Sequence, residues 1–447
     1  MLRERALGES LWESVLPAEV RALPAELAKV DAILDDERFL APFRCRLTAT
    51  TGRPTIPIET YLRLMFLKYR YALGYETLCR EVADSLTWRR FCRLALDARV
   101  PDPTTLMKLT RRLGPELVEE LNAQLLALAV ERRVLRSRRL RVDTTVVESD
   151  TRCPTDSGLC AHAVSRIVRL AQHVKKGGLA VGSRFRDRRR SVAQRVRRIS
   201  ATLARGGRTR ETIDRLTGEI AERARLTVRQ ARRLAQQARA ELERSEGERG
   251  EALVTRLERE LEAAEQVLAQ TDRRLAGERT IADRRVSLVD ADARPIRRGN
   301  PREPTEFGYK ARIADTPEGF VIADVPECGN PRDDTLLDGA IAKAKASGMR
   351  LRSVFADRAF ASQTADQALA RHGITDAVIP RQKHAAPHEH TRAWKRRYRF
   401  RNGAEGRISH LKRRGMGRSR LRGHAGARTW VTSTALAHNL QRLAALS

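Results

Sequence analysis

Three acidic positions in the chain have a setting that could do chemistry. Asp143 sits inside the run Leu140-Arg141-Val142-Asp143-Thr144-Thr145-Val146-Val147, whose alternation is that of a β-strand. A carboxylate in a central strand loses its hydration and needs a partner or a cation. The bland alternative is an aspartate facing solvent or pairing with Arg139 or Arg141. Glu148 is an odd number of residues away and belongs to the other face of a regular strand. Asp357 closes the run Leu351-Arg352-Ser353-Val354-Phe355-Ala356, and functional groups gather at the carboxyl ends of strands in α/β sheets. An ordinary turn or cap aspartate would look the same. Tyr398, Arg401, Glu405 and Lys412 follow at intervals of three, four and seven, which on a helix puts all four on one face. Glu405 is the only acid in 394–428, against thirteen lysines and arginines. It reads either as an ion-pair anchor for Arg401 or as a metal ligand among phosphate binders. Gly403 and Gly406 count against a helix there.

The elements that must position these groups lie in a strongly basic chain. The 447 residues carry 87 Lys and Arg against 56 Asp and Glu, a net charge of +31. Such a field favours a polyanionic partner, nucleic acid first. The 41% hydrophobic content is enough for a real core. Six scattered cysteines, Cys45, Cys79, Cys92, Cys153, Cys160 and Cys328, form no CxxC pair. That pattern excludes a zinc ribbon and fits reduced thiols in the cytoplasm. His388 and His390, in a basic loop, read as solvated rather than as zinc ligands. No apolar run reaches the ~18 residues of a membrane span, and the first twenty residues lack signal-peptide character.

Residues 1–136 read as all-helical. A helix is expected over 58–73, with Leu62, Met65, Phe66 and Tyr69 on its apolar face and Gly74 as a left-handed cap. Shorter helices follow at 76–83, 87–94 and 104–113, the last two separated by Pro101 and Pro103. Their basic positions (Arg70, Arg80, Arg89, Arg90, Lys108, Arg111, Arg112) suit a helix-turn-helix-like DNA reader, or a plain bundle with its arginines in water. Segment 137–183 holds the first strand and a helix over about 154–173 capped by Thr155 or Asp156. Segment 184–285 reads as long charged helices, with eighteen arginines against five acids in 184–240. Val254, Leu261, Leu268 and Leu275 repeat every seven residues with Leu257 and Ala264 between, as in a coiled coil or a hairpin packed on itself. Segment 286–447 offers a hairpin, 307–314 with 319–325, around Asp315-Thr316-Pro317-Glu318. Helix 336–346, strand 351–356, helix 363–371 and strand 377–379 follow. Helical sequence then runs from about 401 to the end, interrupted near 415–426. The whole is an α/β chain with a mixed sheet, interrupted by a helical insertion.

The strand from Leu140 to Val147, with Asp143 and the following Glu148, resembles the first catalytic strand of DDE transposases encoded by bacterial insertion sequences. Phe355-Ala356-Asp357-Arg358-Ala359-Phe360 is similar to their second acidic site, and Tyr398-x2-Arg401-x3-Glu405-x6-Lys412 to their third, with matching spacing. Pro154-Thr155-Asp156-Ser157-Gly158-Leu159, Glu306-Phe307-Gly308-Tyr309-Lys310, Gly52-Arg53-Pro54, Trp88-Arg89-Arg90-Phe91 and Asp102-Pro103-Thr104-Thr105-Leu106 resemble other segments of that family. Ala359-Phe360 stands where many relatives have Gly-Tyr, and the long insertion falls between the first two acids.

The resemblance implies a ribonuclease H-like mixed sheet flanked by helices, an all-helical N-terminal DNA-binding domain (1–136) and a helical insertion (184–285) splitting the catalytic core into 137–183 and 286–447. It implies that Asp143, Asp357 and Glu405 are catalytic and hold two Mg²⁺ or Mn²⁺ ions, while Tyr398, Arg401 and Lys412 contact DNA. The expected activity is metal-dependent cleavage and strand transfer at terminal inverted repeats and target DNA. A homodimer that synapses two ends, associated with the nucleoid, would carry it out. The rival readings are a catalytically silent DNA-binding relic and a nuclease of the same fold without strand transfer.

Overall fold

The computed structural model describes residues 17–47, 55–151, 154–205, 209–243, 248–297, 305–381 and 386–447. The Gly52-Arg53-Pro54 segment, Cys153 and residues 1–16 lie outside the described residues. Contacts divide the chain into two compact units, Met1–Asp150 with Gly308–Ser447, and Thr151–Phe307.

The sheet of the first unit is built on β1 (Arg139–Glu148), buried along nearly its whole length on both faces. That double burial marks a central strand. β1 pairs antiparallel with β2 (Thr305–Asp315), which pairs antiparallel with β3 (Val321–Asp324). On its other side β1 runs parallel to β4 (Ser353–Phe355), and β4 runs parallel to β5 (Asp376–Val378). The β2–β3 hairpin forms where the sequence places it, closed by Thr316 donating its N–H to the Phe320 carbonyl at 3.0 Å, with Gly319 at φ 92°. The helices Leu337–Ala346 and Gln363–Arg371 precede the two parallel strands. Gly308 faces Glu148 across the β1–β2 ladder, and a Cβ on it would lie 2.2 Å from the Val147 carbonyl oxygen. A side chain at 308 would therefore break the pairing that holds Asp143 in register.

The N-terminal helices share a core with this sheet. Helix Gly423–Leu446 buries Trp430, Val431, Leu440 and Leu443. Its wholly buried Asn439 accepts from Val321 N–H at 2.8 Å, donates to the Val321 carbonyl at 2.7 Å and donates to Asn122 at 2.9 Å. One amide thus ties strand β3 to helix Pro103–Glu131, the long helix that bends at Gly114-Pro115. That helix continues past the expected end at 113, because the φ of 73° at Gly114 lets a second helical stretch start directly behind Pro115.

Helix Ile58–Arg70 ends one turn earlier than 73, and Ala72 (φ 53°) rather than Gly74 takes the left-handed position. The Leu73 N–H reaches back to the Lys68 carbonyl at 2.8 Å, which closes the helix end without a glycine. Lys68 itself is buried. Its ammonium donates to the Leu73 carbonyl at 3.2 Å and lies 4.6–4.7 Å from the ring centres of Tyr69, Tyr75 and Trp430. Burial pulls its pKa down to about 7, with Arg420 adding to the effect. The folded chain therefore binds fewer protons than the unfolded one between about pH 7 and the ordinary lysine range, and stability rises with pH across that window. Lys68→Met removes this dependence. The difference in melting temperature, variant minus parent, is expected to be largest below pH 7 and to shrink toward pH 10 in a thermal-melt series.

The second unit is a helical bundle of Asp156–Lys176, Arg189–Arg205, Thr209–Leu242 and Glu248–Leu275. Val254, Leu257, Leu261, Ala264 and Leu268 lie in one buried cluster with Ile167, Val174, Ile220 and Leu234. The heptad stripe is thus spent inside the unit, as a hairpin packed on itself. Thr155 is the cap of the first helix, accepting from Gly158 N–H at 3.1 Å. Asp156 is buried and pairs with Arg274 at 2.8 Å and Arg284 at 2.9 Å, so the Thr155-Asp156-Ser157-Gly158 motif anchors this bundle.

Candidate active site

The three acids approach the first unit's sheet from different elements. Asp143 points from β1, where ladders on both sides hold the backbone. Its carboxylate accepts the Thr144 N–H at 2.8 Å. Asp357 follows β4 and caps the short turn Arg358–Phe360, accepting from Ala359 N–H at 2.9 Å. It is therefore a turn cap and a member of the cluster at once. Glu405 lies in the first turn of helix Gly403–Leu411.

Arg401 joins all three. Its Nη2 lies 3.0 Å from Asp143 Oδ2 and 3.6 Å from Asp357 Oδ2, while its Nη1 donates to Glu405 Oε1 at 3.2 Å. The Arg401 side chain is 15% exposed, Asp143 12%, Asp357 33% and Glu405 72%, so the cluster grades from a dry floor to an open rim. Burial pushes the Asp143 pKa up to about 6, with Asp357 and Asp333 raising it further and Arg401 opposing. Burial also raises Asp357, again against Arg401.

The Tyr398–Lys412 signature does not form one regular helix. Tyr398 ends helix Arg392–Tyr398, Arg401 lies in the tighter turn Arg399–Asn402, Glu405 in the next helix, and Lys412 opens a wide turn, Lys412–Met416. The backbone stays right-handed from Tyr398 through Gly403, so Arg401 and Glu405 still meet. Tyr398 stacks on Trp394, ring centres 5.0 Å apart at 14°, and burial raises its pKa. Lys412 packs its stem against Gly417, whose carbonyl accepts the Glu148 N–H, at the far end of β1. Gly403 is required by close approach: a Cβ there would lie 1.8 Å from Arg141 Nη1. Arg141 is committed to Asp315 (Nε–Oδ1 2.9 Å) and to the Phe400 carbonyl at 3.1 Å, and it covers the Phe400 ring. The glycine that counts against a helix is thus what lets the segment 399–411 lie down on β1.

Asp333 was not singled out by sequence reasoning. It accepts from Thr144 Oγ1 at 2.7 Å and pairs with Lys310 at 2.8 Å, and its charge helps raise both Asp143 and Asp357. The signal was there in part. Lys310 belongs to the Glu306–Lys310 motif, and Asp333-Asp334 is an acidic pair in a basic chain. Only the fold puts the two beside Thr144.

The donor set suits a hard divalent cation. Three carboxylates and no sulfur or imidazole converge, and two of them are held above their ordinary pKa by burial, with Arg401 opposing. In this structure the positive charge among them is the guanidinium of Arg401. Among the described residues no group of three or more His, Cys, Asp or Glu stands together in a way that could hold a metal ion.

Comparison with known proteins fits this geometry. Residues 16–112 match a transposase domain (DUF772), and residues 362–444 match a transposase DDE domain. Both matches support a DDE transposase of an insertion sequence. The DDE match contains Tyr398, Arg401, Glu405 and Lys412, whereas Asp143 and Asp357 precede it. Of the curated relatives, an uncharacterized protein, ORF8 in the nfe locus of Rhizobium meliloti, is 29% identical over 155 residues, 33% of this chain and 73% of that protein. No solved structure matches the chain. Among the described residues no helix is long and apolar enough to cross a membrane.

Proposed function

We propose that this transposase cuts the ends of its insertion sequence and joins them to target DNA, with Asp143, Asp357 and Glu405 as its catalytic acids. The observation that carries this reading is the meeting of all three carboxylates on one guanidinium, from two strands and a helix distant in sequence. The sheet supports a ribonuclease H-like core, being an antiparallel meander, β3-β2-β1, followed by two strands parallel to β1.

Asp143, Asp357 and Glu405 would hold two Mg²⁺ or Mn²⁺ ions. Such ions, when bound, lower the pKa of attacking water and offset charge on the leaving 3′ oxygen. The protein's own residues do the rest. β1 fixes Asp143, and the Ala359 N–H fixes Asp357. Arg401 holds the acids together in the free protein and can turn its guanidinium to a phosphate, where its fork geometry suits bidentate contact. Tyr398, kept protonated by burial, presents a hydroxyl donor and, with Trp394, a flat surface for a base. Lys412 adds a cation for the backbone. The N-terminal helices would read the terminal repeats, since phosphate contacts alone carry no sequence information. The bundle's arginines would grip backbone. Two copies would hold the two ends, on the nucleoid.

The test is incubation of the purified protein with labelled element ends and Mg²⁺. Nicked ends and joined target products are expected. Nicks without joining would replace transposition by a nuclease activity, and intact DNA with tight end binding would leave a silent DNA-binding protein.

A further inference from the structure

The first unit contains a second basic feature, separate from the acid cluster. A groove of about 540 Å³ opens at the amino ends of the three parallel strands, β1, β4 and β5, lined by Arg138, Arg139, Arg352, Arg396 and Arg397. Its one acid, Asp376, is already engaged, accepting from Ser353 Oγ at 2.7 Å and pairing with Arg397. Five guanidiniums around one neutralised carboxylate call for a polyanion. Their planar forks suit phosphodiester oxygens.

Position selects which polyanion. Arg139, Arg141 and Asp143 alternate along β1 and share one face of the sheet. Four residues of strand span ~13 Å at ~3.3 Å each, and one DNA strand advances ~3.4 Å per nucleotide along the axis. The backbone also winds around the axis, so the groove lies within a few nucleotides of the carboxylate cluster. One continuous run of helical turns links the two, from Arg396 and Arg397 in Arg392–Tyr398 to Arg401. Arg141, between them, is tied to Asp315 and Phe400, so the contacts on offer are at the two ends.

We propose that this groove seats the phosphodiester backbone of duplex DNA within a few nucleotides of the bond presented to the acids, setting where along the strand the bond falls. This deepens the reading of the chain as a DNA-cutting transposase and rests on it for the identity of the polyanion. Arg352 and Arg396 are exposed and can be changed without touching the acids. The test compares Arg352→Ser/Arg396→Ser with Arg99→Ser/Arg132→Ser, which removes the same charge from exposed positions elsewhere. Duplex binding is measured by fluorescence anisotropy across a salt series, without divalent ions. The groove variant is expected to bind about tenfold more weakly near 0.1 M salt and to lose roughly 1.8 from its log–log salt slope, ~0.9 per lost phosphate contact. The control should stay within about twofold, and Arg352→Lys/Arg396→Lys should recover most of the loss. Equal losses in groove and control variants, unchanged duplex binding, or weakened binding of single strands alone would overturn the groove. Cleavage by the parent is scored separately. A parent that never cuts but whose duplex binding runs through the groove retires the catalytic reading, and with it the placing of a bond, and keeps the groove as a seat for duplex backbone.

Discussion

Asp143→Asn and Asp357→Asn should each reduce Mg²⁺-dependent DNA cleavage by ~10³-fold or more, since several kcal/mol of charge stabilisation at the reacting phosphate depends on each oxygen ligand. End binding should hold, because affinity comes mostly from the basic surface. The same exchange makes a stability prediction of opposite sign. Asp143 titrates at about 6 in the folded protein, against ~3.9 in an unfolded chain. The folded state therefore binds more protons between those values, and ionising Asp143 costs stability as pH rises through that window. Asn carries no such cost. Asp143→Asn should be at least as stable as the parent at pH 7.5, by at most ~3 kcal/mol, with the advantage gone near pH 4. Single-turnover cleavage assays and thermal melts at the two pH values check both halves. A fully active Asp143→Asn removes that residue from the chemistry.

Arg401→Gln should have the larger effect on folding. Three carboxylates lose the cation that, among the described residues, touches them all. Removing a partner from a mostly buried ion pair costs about 3 kcal/mol or more, while the pair to exposed Glu405 adds little. The loss should be greatest at neutral pH and fade below about pH 5 as the acids protonate, because the variant's folded acids take up protons more readily than the parent's. Divalent cation should then do what the guanidinium did. Mg²⁺ at millimolar concentration is expected to raise the melting temperature of Arg401→Gln by several degrees more than that of the parent. An equal shift in both proteins would mean that the acids do not share a cation site.

The fold was legible wherever neighbours in sequence set the structure. The alternation around Asp143, the Asp315-Thr316-Pro317-Glu318 turn and the Thr155 cap all form in place, because each depends on residues within a few positions. Short-range reasoning went astray where distant packing won. Ala72 replaced Gly74 as the left-handed residue, whereas of the two readings of the heptad stripe the packing chose the hairpin closed on itself. Gly403 looked like a helix breaker until Arg141, from a strand far away in the chain, proved to occupy the space beside it.

The site divides along the same line. Residue types and spacing raised Asp143, Asp357, Arg401 and Glu405 as candidates beside bland alternatives, and the resemblance to transposase motifs singled them out. That one guanidinium would touch all three carboxylates, that Asp333 and Lys310 would back Asp143, and that five arginines would rim one groove could not be read from the chain in line. Those meetings depend on register between β1 and β2 and on how the segment 399–411 lies on the sheet. Both are set by burial and close packing among residues hundreds of positions apart, and no short-range periodicity encodes them.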